Sequence, residues 1–213
     1  NYGKKVKDSI SGFNINTQRL YTVKGETAHH IINIDENGDR YFKPDSWHNG
    51  VWIDYIISES DKIFIQSMDV VATTCYESTF KDILNIRAKS EFLLSVDFHD
   101  EKIDKHWEKY LNNIDLFFIS GNNQKLEQLK TWSEKFNTVF IATLGKDGSV
   151  AYHRGKKYIC DAVKVNKVTD TTGCGDSYQG AFIVDYSLNK NIKNAMVKGA
   201  ESASVTLSFV GGF

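Results

Sequence analysis

The 213-residue chain sets 26 Lys and Arg against 27 Asp and Glu, a net charge of −1, with 41% hydrophobic and 13% aromatic residues. That apolar content excludes a disordered chain, no run approaches the ~20 apolar residues of a membrane helix, and the neutral balance lacks the basic face that nucleic acids or anionic membrane surfaces select. Three separated cysteines, Cys75, Cys160 and Cys174, include no C-x-x-C pair; this argues against a disulfide framework or structural zinc site and for a reducing, cytoplasmic setting.

The first residues, Asn1-Tyr2-Gly3-Lys4-Lys5, carry no secretory leader and read as the interior of a longer chain. Apolar residues at 29–34 and Arg40-Tyr41-Phe42 flank Asn37-Gly38, a pair that tolerates positive φ at both turn positions. This predicts an antiparallel ribbon over 20–45. Beyond residue 60 the pattern alternates. Strands are predicted at 62–66, 92–98, 115–120 and 138–144, and helices at 76–88, 104–112 and 123–136. In the last helix Leu126, Leu129, Trp132, Ser133 and Phe136 recur at helical spacing. Strands apolar throughout, each followed by a helix, specify an α/β fold with a mostly parallel sheet covered on both faces. A second hairpin is predicted around Arg154-Gly155, then a strand at 162–168, a Gly-rich loop, and helices at 177–188 and 192–209. Trp47, Trp52, Trp107 and Trp132 are expected as core or interface anchors.

The most informative stretch is Val168-Thr169-Asp170-Thr171-Thr172-Gly173-Cys174-Gly175-Asp176-Ser177, between a predicted strand and a predicted helix. A helix start leaves backbone N–H groups unpaired and bears partial positive charge. Gly173 and Gly175 let the backbone approach a ligand closely, and the place suits a phosphate. A carboxylate at 176 would repel a merely stored phosphate. It makes sense where Asp176 takes the proton of an attacking hydroxyl while the amides of Gly173, Cys174 and Gly175 hold the phosphoryl group. The plainer reading is a helix entry with an acid in its first turn. Neither standard phosphate loop fits: the glycines run G-x-G-x-x-x-x-G, and Gly155-Lys156 is followed by Lys157 instead of Ser or Thr. The thiol of Cys174, at a helix start, is expected to be acidic and reactive.

Asp170 to Ala181 resembles the C-terminal signature of the ribokinase-like (PfkB-type) carbohydrate kinases, with Cys174 where that signature usually has Ala. Upstream, Thr143-Leu144-Gly145-Lys146-Asp147-Gly148 is similar to the family's nucleotide-site element, in the matching order and spacing; downstream, Gly199 to Ser204 resembles its small-residue helix beside the adenine. The resemblance implies a ribokinase-like α/β core over 1–19 and 46–213 and a β-ribbon lid over 20–45 that covers the sugar and joins a homodimer. It implies Asp176 as base, the 173–176 loop as anion hole, and Thr143, Gly145, Gly148, Gly199 and Ser202 around the nucleotide. ATP and Mg²⁺ would serve the reaction, with K⁺ near Asp170 and Thr172 and His29 and Asp97 on the substrate side. The expected substrate is a small sugar or fructosamine. Tyr2-Gly3, Val96-Asp97-Phe98-His99-Asp100 and the ending Gly211-Gly212-Phe213 look most like fructoselysine 6-kinase-type members.

Two departures temper this. Gln124 stands where many members place a glutamate that helps hold Mg²⁺ through water, so the ion would rest on phosphates and water, or on Glu127 or Asp97. The family's N-terminal Gly-Gly and sugar-side acid are not in this sequence, which leads us to expect that the first βα units precede it. A non-catalytic nucleotide- or sugar-binding relative and a nucleoside kinase therefore stand as alternatives. The six histidines show no metal-ligand spacing. His99, at a strand end, and His29 and His30, in the ribbon, read first as packing or solvated groups.

Overall fold

Strands β4 (Leu93–Asp97), β5 (Leu116–Ser120) and β6 (Val139–Thr143) form where the sequence is apolar without alternation. Such strands need cover on both faces, and they receive it. The computed structural model describes residues 2–36, 40–76 and 78–211. Its six-stranded sheet runs in chain order from β3 (Val70–Thr74) through β4, β5 and β6 to β7 (Ser149–His153) and β8 (Lys156–Cys160). It is parallel up to β6 and antiparallel beyond. The second predicted hairpin is present, with Arg154 at φ 50° and Gly155 at φ 72° in its turn.

Alternate residues of each strand face opposite layers. Val96, Phe98, Phe117, Ile119 and Phe140 pack with Trp132 under α3 (Phe80–Arg87) and α5 (Asn123–Ser133). Leu93, Leu116, Phe118, Val139 and Ile141 pack under α6 (Cys174–Asn189) and α7 (Ile192–Thr206) with Phe182 and Met196. Each such buried side chain contributes roughly 1.5–3 kcal/mol. Ser120 and Thr143 end β5 and β6 side by side, and Asp97 ends β4 opposite Phe118.

Several expectations are corrected. Residues 62–66 are helical: they end α2 (Glu59–Gln66), which Ser58 starts with a capping box closed by Asp61. Ile63-Phe64-Ile65 imitates a buried strand, but Ile63 is exposed. The edge strand comes later, as β3. Among the described residues no strand forms over 162–168, and β8 is the last strand of the sheet. The helix expected at 76–88 begins only at Phe80, and 104–112 divides into a 3₁₀ turn, Lys105–Trp107, and α4 (Glu108–Leu111). Helix α5 stops at Ser133, α6 starts early at Cys174, and α7 stops at Thr206. An unforeseen helix, α1 (Tyr2–Ile10), buries none of its residues.

The ribbon forms as β1 (Ile32–Ile34) against β2 (Arg40–Phe42), with Ile32 opposite Phe42. The expected Asn37-Gly38 turn lies outside the described residues. Backbone pairing continues outward through Lys43–Ile31, both His29–His48 bonds, and Val51–Glu26. Among the described residues no helix is long and apolar enough to cross a membrane.

Candidate active site

Three helices of this chain are capped in the ordinary way: Ser58, Asn122 and Asn191 each accept an N–H from the first turn of α2, α5 and α7. Helix α6 is not. Its N-cap is Gly173, in the left-handed region at φ 78°, and no side chain caps it. Cys174 N–H donates to Thr171 O at 3.3 Å and Ser177 N–H to Gly173 O at 2.8 Å; the N–H groups of Gly175 and Asp176 meet no backbone acceptor among the described residues. Open space lies above Gly175. Asp176 stands exposed in this uncapped turn. The longest helix thus starts as a bare set of donors with one carboxylate beside them, an arrangement fit to receive an anion and a proton donor together.

The loop is braced from beneath. Asp170 is buried, its Oδ1 accepting Thr172 N–H and its Oδ2 accepting Gly211 N–H, both at 2.8 Å. These bonds hold its carboxyl below the usual range despite burial. Ser177 Oγ meets Thr206 Oγ1 at 2.6 Å, and Thr169 N–H donates to Leu207 O, fastening the loop to the end of α7. From the ribbon, Arg40 N–H reaches Thr171 Oγ1 at 3.3 Å.

The two elements expected around a nucleotide meet at Tyr178. Its hydroxyl pairs with Ser149 at 2.8 Å, just past Gly148, and its ring lies so close to Gly199 that a Cβ there would stand 2.9 Å from ring carbons. Gly148, at φ 84°, packs its backbone where a Cβ would fall 2.2 Å from Cys160 O. Thr143 ends β6, Gly145 is open to solvent, and Ser202 is half-buried on α7.

Asp97 ends β4, with Oδ1 accepting His99 N–H at 2.8 Å and Oδ2 3.4 Å from His99 Nδ1. His99 adopts φ 48°, which non-glycine residues seldom do, and stacks on Tyr76 at 5.4 Å. Gln124 is exposed at the start of α5. Beside it Lys125, which sequence reasoning passed over, donates Nζ to Asp100 O and Ser120 O at 2.8 and 3.0 Å, and burial lowers its pKa. Nothing local sets Lys125 apart from the other lysines. His29 is engaged in the ribbon, between Tyr2 and His48 rings at 4.7 and 5.1 Å. The acidity expected of Cys174 is opposed by burial, which with Asp170 nearby raises its pKa.

A concavity of about 850 Å³, lined by His153, Tyr158, Tyr186, Lys190 and Lys193 among others, lies at the far end of α6. A helix of 16 residues puts it ~24 Å from the Gly173 loop. Directed donors, not cavity volume, mark the candidate site.

Comparison with known proteins agrees with this fold. The chain is 26% identical over 216 residues to a fructoselysine 6-kinase of Shigella flexneri, covering 100% of this chain and 80% of that protein. Its fold matches a ribokinase of Thermotoga maritima with a TM-score of 0.77 at 19% identity, over 100% of this chain and 73% of the other. A sugar kinase assigned as probable from Rhizobium etli CFN 42 matches with a TM-score of 0.74 at 16% identity, over 87% of this chain; the match spans 62% of that protein's length. Residues 1–212 fit the pfkB family carbohydrate kinase profile, and the chain belongs to the pfkB carbohydrate kinase family.

Proposed function

We propose that the protein is an ATP-dependent kinase that transfers the γ-phosphoryl group to a hydroxyl of a small sugar or fructosamine, of the fructoselysine kind. The uncapped start of α6, with Asp176 in its first turn, carries this reading. The acceptor hydroxyl gives its proton to Asp176 as it attacks. The free N–H groups at Gly175 and Asp176, with the Gly173-Cys174 turn, receive the charge spread over the transferring oxygens. The transition state is loose, so orientation by Asp176 counts as much as proton removal. The region where Thr143 to Gly148 adjoins Gly199 and Ser202 through Tyr178 would hold the nucleotide. Asp97 and the ribbon residue His29 lie on the acceptor side of this reading.

The donor set suits Mg²⁺ carried by the nucleotide. Among the described residues no three His, Cys, Asp or Glu side chains gather as a metal site, and Gln124 is neutral. The ion would keep phosphate and water ligands, screening charge that the α6 amides do not reach. A K⁺ at Asp170 and Thr172 would share the carboxylate with two N–H donors. The exposed apolar residues of the ribbon, Ile32, Tyr41 and Trp47 among them, support a homodimer joined through it, and the free thiols a cytoplasmic setting.

The test is ATP turnover in a coupled assay against fructoselysine, fructose, ribose and nucleosides, followed by Asp176→Asn. We expect a fructosamine or sugar to be phosphorylated, and the variant to lose ~10²–10⁴-fold in kcat with an unchanged melting temperature. A variant that folds and turns over at the wild-type rate would sink the role of Asp176. A preference for nucleosides would replace the acceptor class.

A further inference from the structure

Asp61 makes more hydrogen bonds than a helix cap requires. It closes the capping box of α2 by accepting from Ser58 N–H at 3.2 Å and Ser58 Oγ at 2.6 Å on Oδ2. The same oxygen accepts from Tyr55 Oη at 2.8 Å. Its Oδ1 accepts from Tyr21 Oη at 2.7 Å and Arg19 Nη1 at 2.9 Å. Asp61 as a whole is 8% exposed, and Arg19 is itself held by Ser60 Oγ at 3.1 Å and by the Phe64 ring. These donors have one thing in common. Arg19 and Tyr21 lie on the segment entering the ribbon, and Tyr55 and Ser58 on the segment leaving it. The Tyr21 and Tyr55 rings stack at 6.3 Å, so the two feet are in contact where Asp61 grips them.

Between feet and tip the ribbon has little apolar anchorage, for Ile34, Tyr41, Phe42 and Trp47 are exposed. At the tip, Arg40 N–H reaches Thr171 in the loop that leads to Gly173. An arm with exposed sides, a charged grip at its foot and a long hydrogen bond at its tip takes its placement from the foot.

We propose that Asp61 is a positioning residue that clamps both feet of the ribbon to α2 and so sets how the ribbon lies over the 171–176 loop. The consequence for acceptor binding rests on the kinase reading above. Ser58, Tyr21 and Tyr55 hold the carboxyl far below the usual carboxylate range.

The experiment compares the full chain with Asp61→Asn and, as a milder pair that leaves the cap intact, Tyr21→Phe with Tyr55→Phe. KM for acceptor, KM for ATP, kcat, melting temperature and limited proteolysis are measured on each. We expect the acceptor KM to rise about tenfold or more in Asp61→Asn and less in the tyrosine pair, with the ATP KM within about twofold. Cleavage between residues 19 and 58 should quicken while the remainder stays resistant. Unchanged acceptor KM and unchanged ribbon cleavage in both variants would overturn the clamp. So would a general fall in melting temperature that moves both KM values together. If the wild-type chain phosphorylates no acceptor, the kinase reading fails by itself, and ribbon cleavage still decides the clamp.

Discussion

In the sheet layer Phe98, Phe117, Phe118 and Phe140 are completely buried, whereas in the ribbon Tyr41, Phe42 and Trp47 remain about half exposed. The first region is held by apolar area removed from water, a non-directional force spread over many contacts. The second is held by backbone pairing from Glu26 to Val51 and by directed bonds to Asp61 at its base. Damage to the sheet layer should therefore cost stability first and function as a result. Damage to the ribbon should cost placement while the sheet layer stands. The proposed chemistry lies at the seam, where Thr171 receives Arg40.

Two tryptophans offer the harshest test of this division. Trp132 is 0% exposed, packs on Phe117 and Phe140, and donates Nε1–H to Glu108 at 2.9 Å. Trp132→Ala should cost about 3–5 kcal/mol, a large share of the roughly 5–15 kcal/mol that holds an ordinary domain folded. Trp47, 53% exposed on the ribbon, should change stability by no more than ~0.5 kcal/mol when made Ala. Urea denaturation of both variants gives the comparison. Similar losses at the two positions would erase the distinction between the regions.

A finer contrast lies within the helical layer. Gly180 and Gly199 both sit inside helices, where glycine costs ~1 kcal/mol relative to alanine. No atom lies within 4 Å of a Cβ placed at 180, so Gly180→Ala should stabilise the protein by up to that amount. At 199 the new methyl meets the Tyr178 ring at 2.9 Å, and the ring cannot swing freely because Ser149 holds its hydroxyl. Gly199→Ala should destabilise by roughly 1–3 kcal/mol and raise KM for ATP, since Tyr178 joins the two elements assigned to the nucleotide. Melting temperatures moving in the same direction for both variants would contradict the packing described for α6 and α7.

The contrast between regions also explains what was legible beforehand. The central strands and the second hairpin declare themselves locally, by unbroken apolar runs and by Arg154-Gly155 between two alternating segments. The Gly173–Asp176 loop was legible because its glycines and Asp176 are contiguous. Helix α2 was misread from Ile63-Phe64-Ile65, although Ser58 and Asp61 at capping-box spacing stood just ahead of that run. The Asp61 grip was out of reach, for Arg19 and Tyr21 are 42 and 40 residues away and only the folded chain brings them there. The expected acidity of Cys174 followed from its helix position alone; burial, a tertiary property, opposes it.

The smallest effect we expect belongs to the seam. Asp170 is a buried carboxyl whose pKa the Gly211 and Thr172 N–H groups lower in the folded state. A group depressed on folding contributes stability above its unfolded pKa, ~3.9 for aspartate, and loses that contribution as pH falls through the folded value. Asp170→Asn should therefore be less stable than wild type at pH 6, with the gap narrowing as both are taken towards pH 3. The Asn side chain keeps one acceptor oxygen, so one of the two N–H bonds survives and the loop should persist with its second brace lost. Urea midpoints at a series of pH values measure the gap. A gap constant from pH 6 to pH 3 would mean that the brace acts by shape alone and that the charge on Asp170 does nothing for the loop linking sheet layer and ribbon.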